Sequence, residues 1–363
     1  MKYFKNMKST TKTDFLTYAG VIIAFAVVYI LQSLGMLSRS VSGMLVPICC
    51  YIVMAVSLNL TVGVLGELSL GHAGFMSVGA FSGIIIAMLL RDIIAADWLR
   101  LVIAMICGAF FAAVAGIIVG IPVLRLRGDY LAIVTLAFGE IIRDIMNCLV
   151  VGVDSRGLHI ALNISGKVTI ESLELDEKGY AIIKGAQGAT GTDKIATFIA
   201  GFILIMVALI VILNLVRSRA GRAILAIRDN SIAAESVGIN LTKYKMMAFV
   251  TSAALAGAAG ALYGLNYSNL VAAKFDFNTS ILVLVFVVLG GLGNIWGSVI
   301  AATVLYVLPE ALRGFDKYRM LVYAIILILV MLATNNEYLK QLFAKITAKK
   351  NEKNEAKGGE ANA

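Results

Sequence analysis

Long apolar stretches separated by short polar ones make up most of the chain. Several of these stretches carry no charged residue, and each is at least as long as the roughly 20 residues that a helix needs to cross a bilayer. They cover residues 15–38, 41–66, 195–216, 246–273 and 277–309. With the less uniform stretches, they predict membrane-embedded segments at roughly 16–36, 44–62, 70–90, 99–120, 129–151, 195–216 and 246–268, then a broken segment at 279–308 and a last span at 319–335. The pattern predicts an all-α, polytopic integral membrane protein.

Glycine clusters interrupt the helical pattern at two places. The first lies between Gly63 and Gly83, and the second falls within 289–297, which reads LGGLGNIWG. A single helix over 277–309 would be about 50 Å long, whereas the hydrocarbon core is ~30 Å thick. The second cluster therefore predicts two shorter segments or a re-entrant turn, which brings the total to about ten membrane-embedded segments. The two breaks share a rough pattern that is consistent with a remote internal repeat.

Composition supports the membrane assignment. Hydrophobic residues make up 60% of the chain and charged residues 15%, with a mean hydropathy of +0.90. A soluble domain has about 45–50% apolar and about 25% charged residues, so a soluble enzyme, a secreted disulfide scaffold and a disordered hub are excluded. The four cysteines lie in apolar stretches and have neither disulfide-framework nor metal-ligand spacing.

The net charge of +9 indicates topology rather than nucleic acid binding. Basic residues collect before the first span, within 217–245 and in the C-terminal tail, and Lys and Arg near span ends mark the cytoplasmic side. Both termini and 217–245 are therefore expected in the cytoplasm. The acid-rich segment 152–194 is expected outside, where it is long enough for a small subdomain or hairpin. The predicted organisation is a cytoplasmic N-terminus over 1–15, a transmembrane domain over 16–335 and a basic, disordered tail over 336–363.

Two groups of polar residues fall within predicted membrane segments or in the break between two of them. Glu140, Arg143 and Asp144 share one helix face, and Glu140 can pair with Arg143 within its own helix. Charges at this depth are costly unless they are paired or face water. An internal pair that fixes a helix interface is favoured over a place beside a translocation path. The second group lies in the first glycine break and consists of Glu67, Ser69 and His72. There His72 is expected to be a hydrogen-bonded packing residue rather than a proton carrier.

The segment 217–245 is too polar to span a membrane and too apolar to be a flexible tail. Its pattern predicts two short helices divided near 229–231, where Asp or Ser can cap the second helix. One interpretation is an amphipathic helix on an anionic membrane surface. The second helix has Glu235 and little positive charge, which favours a docking element for a cytoplasmic partner. Gly238 lies where that helix would end, and Arg228 is too far from Glu235 for a same-helix pair, so both charges are expected to be free for a partner.

The chain is not predicted to carry out catalysis. It has no G-x-x-x-x-G-K-[ST] phosphate-binding loop, so any energy from ATP has to come from another chain. No catalytic residue, cofactor or metal site is predicted.

Three stretches of the chain resemble the M-type permease subunit of the bacterial branched-chain amino acid ABC importers. They are GELSLGHAGFMSVGA, GIPVLRLRGDYLAIVTLAFGEIIR and GRAILAIRDNSIAAESVGIN. The stretch VFVVLGGLGNIWGSVIAA fits the late segment of the same family, so the resemblance runs from about residue 40 to 335. Residues 163–193 depart from the family pattern and look like an insertion.

The resemblance implies one subunit of a multi-protein importer in the bacterial plasma membrane. Two permease chains, surrounded by membrane lipid, form the pore. Two cytoplasmic ATPases bind ATP and power transport through the pore, and an extracytoplasmic binding protein delivers the amino acid. No nucleic acid partner is expected. The AAESVG-type segment corresponds to the coupling helix that inserts into an ATPase cleft. That role falls on Asp229, Ala233, Ala234, Glu235 and Gly238, with Arg222 and Arg228 as charged flanks.

Two main alternatives stay open, besides a purely structural membrane protein. One is a permease of similar architecture for another solute, such as urea, a short amide or a sugar, because no residue can be shown to recognise an amino acid side chain. The other is a channel or proton-coupled carrier that works alone. The group around Glu140 supports the carrier, whereas the coupling-like segment and the lack of further buried carboxylates in the sequence pattern argue against it.

Overall fold

The computed structural model describes residues 9–36, 38–126, 128–154, 157–163 and 179–335. The expected basic tail and much of the expected insertion lie outside these residues. The chain divides into two compact units, with the boundary between Thr303 and Val304.

Most of the described chain is helical. The helices are α1 (Ser9–Ser33), α2 (Arg39–Asn59), α3 (His72–Leu89), α4 (Asp97–Val123), α5 (Asp129–Cys148), α6 (Phe198–Arg217), α7 (Arg219–Asp229), α8 (Ser231–Ser236), α9 (Leu241–Gly264), α10 (Phe277–Gly290), α11 (Ile295–Ala311) and α12 (Arg319–Asn335). Every predicted membrane segment falls on one of these helices, and the broken segment falls on α10 and α11. Among the described residues, six helical segments are long and apolar enough to cross a membrane, namely Arg39–Val64, α3, α4, α6, α9 and Ile295–Gly314. The total of about ten membrane-embedded segments stays a prediction.

Close helix packing in the first unit depends on glycine. A Cβ added to Gly79 of α3 would overlap the backbone of Gly257 in α9, and a Cβ on Gly257 would overlap Ala112 of α4. Small residues let helix backbones approach each other in this way. α2 is buried from Leu45 to Asn59 because α6, α9 and α10 pack around it.

A five-stranded antiparallel sheet follows α5, and the all-α prediction did not contain it. Its strands are β1 (Leu149–Asp154), β2 (Gly157–Leu162), β3 (Tyr180–Lys184), β4 (Ala189–Thr190) and β5 (Asn269–Leu270), in the order β2-β1-β3-β4-β5. β1 begins directly after Cys148, so α5 ends three residues before the predicted end of its segment at 151. Val151 faces Ile183 across the β1–β3 pair, and both side chains are fully buried. The hairpin expected within 152–194 is therefore part of a larger sheet.

Both predicted helix breaks are confirmed. After α2 the chain makes a π-helical turn, Leu60–Val64, and then runs in non-helical conformation until α3 begins at His72. α10 and α11 are separated by residues 291–294, where Gly291 and Gly293 have φ of +94° and +80°. Only glycine adopts this backbone region at little cost, which explains why the second break contains glycines.

Candidate functional site

The two glycine-rich breaks meet each other in the folded chain, although they are more than 200 residues apart in sequence. A buried side chain, Asn59 at the end of α2, joins them. Its amide group donates to the Ser298 hydroxyl at 2.9 Å, and its Oδ1 accepts from the Gly293 N–H at 2.8 Å. A Cβ on Gly63 would overlap both Asn59 and Gly293. The breaks thus form one compact junction, which we call the break junction (Asn59, Gly63, Gly293 and Ser298).

Asn59 and Ser298 were not singled out by the sequence, although both are fully buried. A buried amide needs hydrogen-bond partners because an unsatisfied polar group inside a protein is costly. The sequence feature that could have identified Asn59 is its polar side chain within the apolar stretch 41–66. Its partners lie too far along the chain for any local pattern to identify them.

Within the predicted cytoplasmic segment 217–245 the chain forms two short helices, as predicted. α7 ends at Asp229 and α8 begins at Ser231. The cap of α8 is Asn230 rather than Asp or Ser, since its Oδ1 accepts from the N–H groups of Ile232 and Ala233, both at 3.0 Å.

The C-terminus of α8 is closed by Gly238, which has a φ of +83°. The Gly238 N–H bonds to the Glu235 carbonyl at 2.9 Å, and the Ile239 N–H bonds to the Ala234 carbonyl at 3.1 Å. This pair of bonds is the Schellman arrangement, in which a left-handed glycine follows the helix. Nothing lies within 4 Å of a Cβ built on Gly238, so the glycine is required by backbone conformation and not by space.

α8 presents apolar side chains outward. Ile232 and Val237 are 72% and 75% exposed, and Glu235 and Ala233 are also exposed. Ala234 is only 4% exposed, so it packs within this chain and is not available to a partner. The structure therefore keeps most of the predicted coupling residues at the surface and removes Ala234 from that surface.

The prediction that Arg228 is free for a partner is wrong. Arg228 contacts Asp229 at 3.2 Å, and its Nη1 donates to the Gly63 carbonyl of the break junction at 3.1 Å. The sequence could not reveal this contact because it joins residues that are 165 positions apart. Arg222 is exposed, and its Nη1 donates to the Arg217 carbonyl at 3.4 Å.

A second link joins the first break to α9. Glu67 forms an ion pair with Lys245, and both side chains are largely buried. Lys245 lies inside α9, which begins at Leu241. The predicted cytoplasmic segment 217–245 therefore overlaps the start of this helix. Nearby, His72 is buried and bonded to the Ser57 hydroxyl at 2.8 Å, in line with the packing role expected for it. Ser69 is buried, and within the described residues its hydroxyl has no hydrogen-bond partner.

The polar group on α5 is assembled as an ion-pair cluster. Arg143 contacts Glu140 at 2.8 Å, which confirms the predicted pair, and Asp144 at 3.1 Å. The Glu140 and Arg143 side chains are 29% and 28% exposed, and that of Asp144 is 66% exposed. Within this chain the cluster therefore lies on an open face of α5 and not in a closed helix interface.

Asp276, the N-cap of α10, lies in the field of Arg143. Partial burial raises the pKa of Asp276, but this effect is outweighed by hydrogen bonds from Thr279 and Asn278 and by the positive charge of Arg143, so the pKa lies below its ordinary value. The Thr279 N–H donates to the carboxylate at 2.9 Å. Among the described residues, no group of His, Cys, Asp or Glu is placed to hold a metal ion.

Comparison with known proteins identifies a family of permease components. A family model described as branched-chain amino acid transport system / permease component matches residues 40–331. The high-affinity branched-chain amino acid transport system permease proteins LivM of Salmonella typhimurium and of Escherichia coli are each 34% identical over 331 residues, covering 89% of this chain and 74% of the relative. The permease protein BraD of Pseudomonas aeruginosa is 25% identical over 299 residues, covering 78% of this chain and 89% of that protein. No solved structure matches the chain.

Proposed function

Since the chain belongs to the family of permease components of branched-chain amino acid transport systems, we propose that it is a membrane-spanning subunit of an ABC importer for branched-chain amino acids. Members of this family are membrane permeases and are not themselves catalytic. In the proposed complex the chain pairs with a second permease, two cytoplasmic ATPases supply the energy, and an extracytoplasmic binding protein delivers the solute. Both termini and α7–α8 lie in the cytoplasm, and the β-sheet lies outside.

The observation that carries the proposal is the form of α8. The helix is capped at both ends, by Asn230 and Gly238, so its backbone is held without a partner. It exposes two large apolar side chains, Ile232 within the helix and Val237 directly after it. The acid between them, Glu235, adds a charge that suits a basic partner surface. These features support the insertion of α8 into an ATPase cleft.

The test of this coupling role is a pair of substitutions in α8. Glu235→Lys reverses the exposed charge, and Gly238→Val forces a β-branched residue into a left-handed conformation. Each variant should stay in the membrane, co-purify poorly with the ATPase and lose uptake of labelled leucine in reconstituted vesicles. Gly35→Val is the matched control, because Gly35 also has positive φ and open space around it but lies between α1 and α2. Normal uptake and normal co-purification in both α8 variants would remove the coupling assignment.

We also propose that the charged face of α5 lies beside the solute path. Asp144 is largely exposed between the exposed apolar residues Ile141 and Ile145. A charge that faces lipid at membrane depth is costly, so this face suits either water in the path or the second permease subunit. The cluster has both signs of charge, as does a zwitterionic amino acid.

The solute itself is tested by competition. Uptake of labelled leucine by the complete transporter should be reduced by excess isoleucine or valine and not by urea, ribose or a nucleoside. Competition by one of the latter, without competition by valine, would assign the permease to another solute. Transport in vesicles that contain this chain alone would instead support a stand-alone carrier.

A further inference from the structure

Arg228 connects the predicted coupling segment to the break junction in a single step. It lies in the last turn of α7, two residues before the cap of α8, and its Nη1 donates to the Gly63 carbonyl at 3.1 Å. Its stem covers the first break so closely that a Cβ on Gly66 would meet Arg228 Cγ at 2.7 Å. A Cβ on Gly293 would lie 3.9 Å from Arg228 Nη1, so the guanidinium reaches both breaks.

The chemistry of this contact makes it firm. Gly63 belongs to the π-helical turn at the C-terminus of α2, where helix carbonyl groups carry partial negative charge that favours a cation. A hydrogen bond with a charged donor is stronger than one between neutral groups. The Nε and Nη2 groups of the same guanidinium donate to the Asp229 carboxylate. These two bonds fix the direction in which Nη1 points.

The junction on the far side of Gly63 is also held by defined bonds. The side-chain oxygen of Asn59 accepts from the Gly293 N–H, and its side-chain NH2 group donates to the Ser298 hydroxyl. A displacement of α7 that carries Arg228 with it therefore acts on the π-turn and, through Asn59, on the start of α11. This route has few flexible steps, because Asp229 fixes the direction of the Arg228 guanidinium and the remaining links are hydrogen bonds between backbone groups or short side chains.

We propose that Arg228 is a positioning residue that transmits displacement of α8 to the break junction, and that ATP-driven transport depends on this link. The inference rests on the proposed function, since it assumes that an ATPase moves α8. It assigns Arg228 to transmission and not to ATPase docking. The separation is physical: Arg228 binds the π-helical turn that follows this chain's own α2, whereas Glu235 and Val237 are exposed.

The experiment measures the amount of leucine transported per ATP hydrolysed in vesicles with the complete transporter. Arg228→Gln removes the charge and the fork of donors but retains a polar side chain. This variant should co-purify with the ATPase and hydrolyse ATP within about twofold of the unaltered transporter, while leucine transported per ATP falls roughly tenfold. Arg228→Lys, which keeps the charge and a donor, should recover part of that ratio. Arg219→Gln, a change at an exposed residue in the first turn of the same helix, should leave the ratio unchanged.

Ser298→Ala provides a second, smaller change in case Arg228→Gln does not fold. It removes the acceptor for the Asn59 amide and should lower the same ratio several-fold. The inference is overturned if the ratio is kept in these variants, if uptake and hydrolysis fall in proportion, or if Arg228→Gln releases the ATPase. Absence of ATP-driven uptake in the unaltered complex would instead overturn the proposed function.

Discussion

At the residue scale, charge pairing decides how the chain accommodates ionisable groups in or next to its predicted membrane segments. Glu67 with Lys245 and Glu140 with Arg143 each place opposite charges in direct contact. The first pair is largely buried and joins distant segments, whereas the second lies within one helix on an open face. We therefore expect the two pairs to respond differently to substitution.

Arg143→Ala leaves both Glu140 and Asp144 without their cation, so the protein should lose thermal stability in detergent. The loss should be smaller than the roughly 3–5 kcal/mol typical of a fully buried pair, because these side chains are partly exposed. The double variant Glu140→Gln/Arg143→Gln should retain more stability, since it leaves fewer unpaired charges. Equal losses in the single and double variants would contradict the pairing and favour separate roles along the solute path.

Asp276 gives a prediction about pH. Its pKa is lowered in the folded protein, so its ionised form stabilises the fold above the pKa of the unfolded chain, and this contribution is lost as the pH falls through the folded value. Asp276→Asn retains a capping acceptor but not the charge. Unfolding midpoints in detergent should therefore differ between the two proteins at pH 7 and converge below about pH 4. A difference that stays constant across this range would rule out the contribution of the charge.

At the element scale, helix contacts are set by small residues and helix ends by caps. Gly257 of α9 lies where a Cβ would overlap Ala112 and approach the Gly108 carbonyl at 2.5 Å. Gly43 of α2, by contrast, has open space around it. Two glycines in helices thus differ in whether tertiary packing requires them.

Gly257→Ala should destabilise the protein by about 1–3 kcal/mol, because the added methyl group has no room. Gly43→Ala should be neutral or stabilise it by about 0.5–1 kcal/mol, since alanine favours a helix over glycine. Thermal unfolding of the purified variants in detergent measures both changes. Similar effects in the two variants would show that α3, α4 and α9 are not packed as described.

The cap of α8 provides a second prediction at this scale. Asn230→Ala removes the acceptor for two N–H groups and should weaken α8 by about 0.5–2 kcal/mol. Asn230→Asp keeps an acceptor and should have little effect. The measurement is the affinity of the permease complex for the ATPase, which should fall for Ala and be retained for Asp. Equal affinities for all three proteins would indicate that the partner does not depend on a preformed α8.

At the scale of the whole molecule, the expected topology places the sheet and α8 on opposite sides of the membrane. The evidence is the distribution of Lys and Arg and the length of 277–309. Ile160 in β2 and Val237 after α8 are 60% and 75% exposed, so each is accessible for labelling.

Single cysteines at positions 160 and 237, in a variant without the native cysteines, test this arrangement. A membrane-impermeant maleimide should label position 160 and not position 237 in intact cells, and both after permeabilisation. External labelling at position 237 would contradict the cytoplasmic placement of α8. A third cysteine at position 350 reports on the tail, which we expect to be labelled only after permeabilisation.

The sequence by itself determined the features that depend on neighbouring residues. Apolar runs located the helices because burial or lipid contact along a helix requires an uninterrupted apolar stretch. Glycine clusters located both breaks, and Gly238 located the end of α8, because positive φ is a local property of the backbone. The spacing of Glu140 and Arg143 predicted their pair for the same reason. The division between α7 and α8 also followed from local capping residues.

Only the tertiary structure decided which distant segments meet. It placed Asn59 between two breaks, joined Glu67 to Lys245 across 178 positions and attached Arg228 to Gly63. It also formed a sheet in which β5 comes from a segment far beyond β4. The physical reason is that these contacts depend on how whole helices pack against each other, and a single sequence carries no local pattern for such packing. The same packing buried Ala234 and bound Arg228, which the local sequence had assigned to a partner surface.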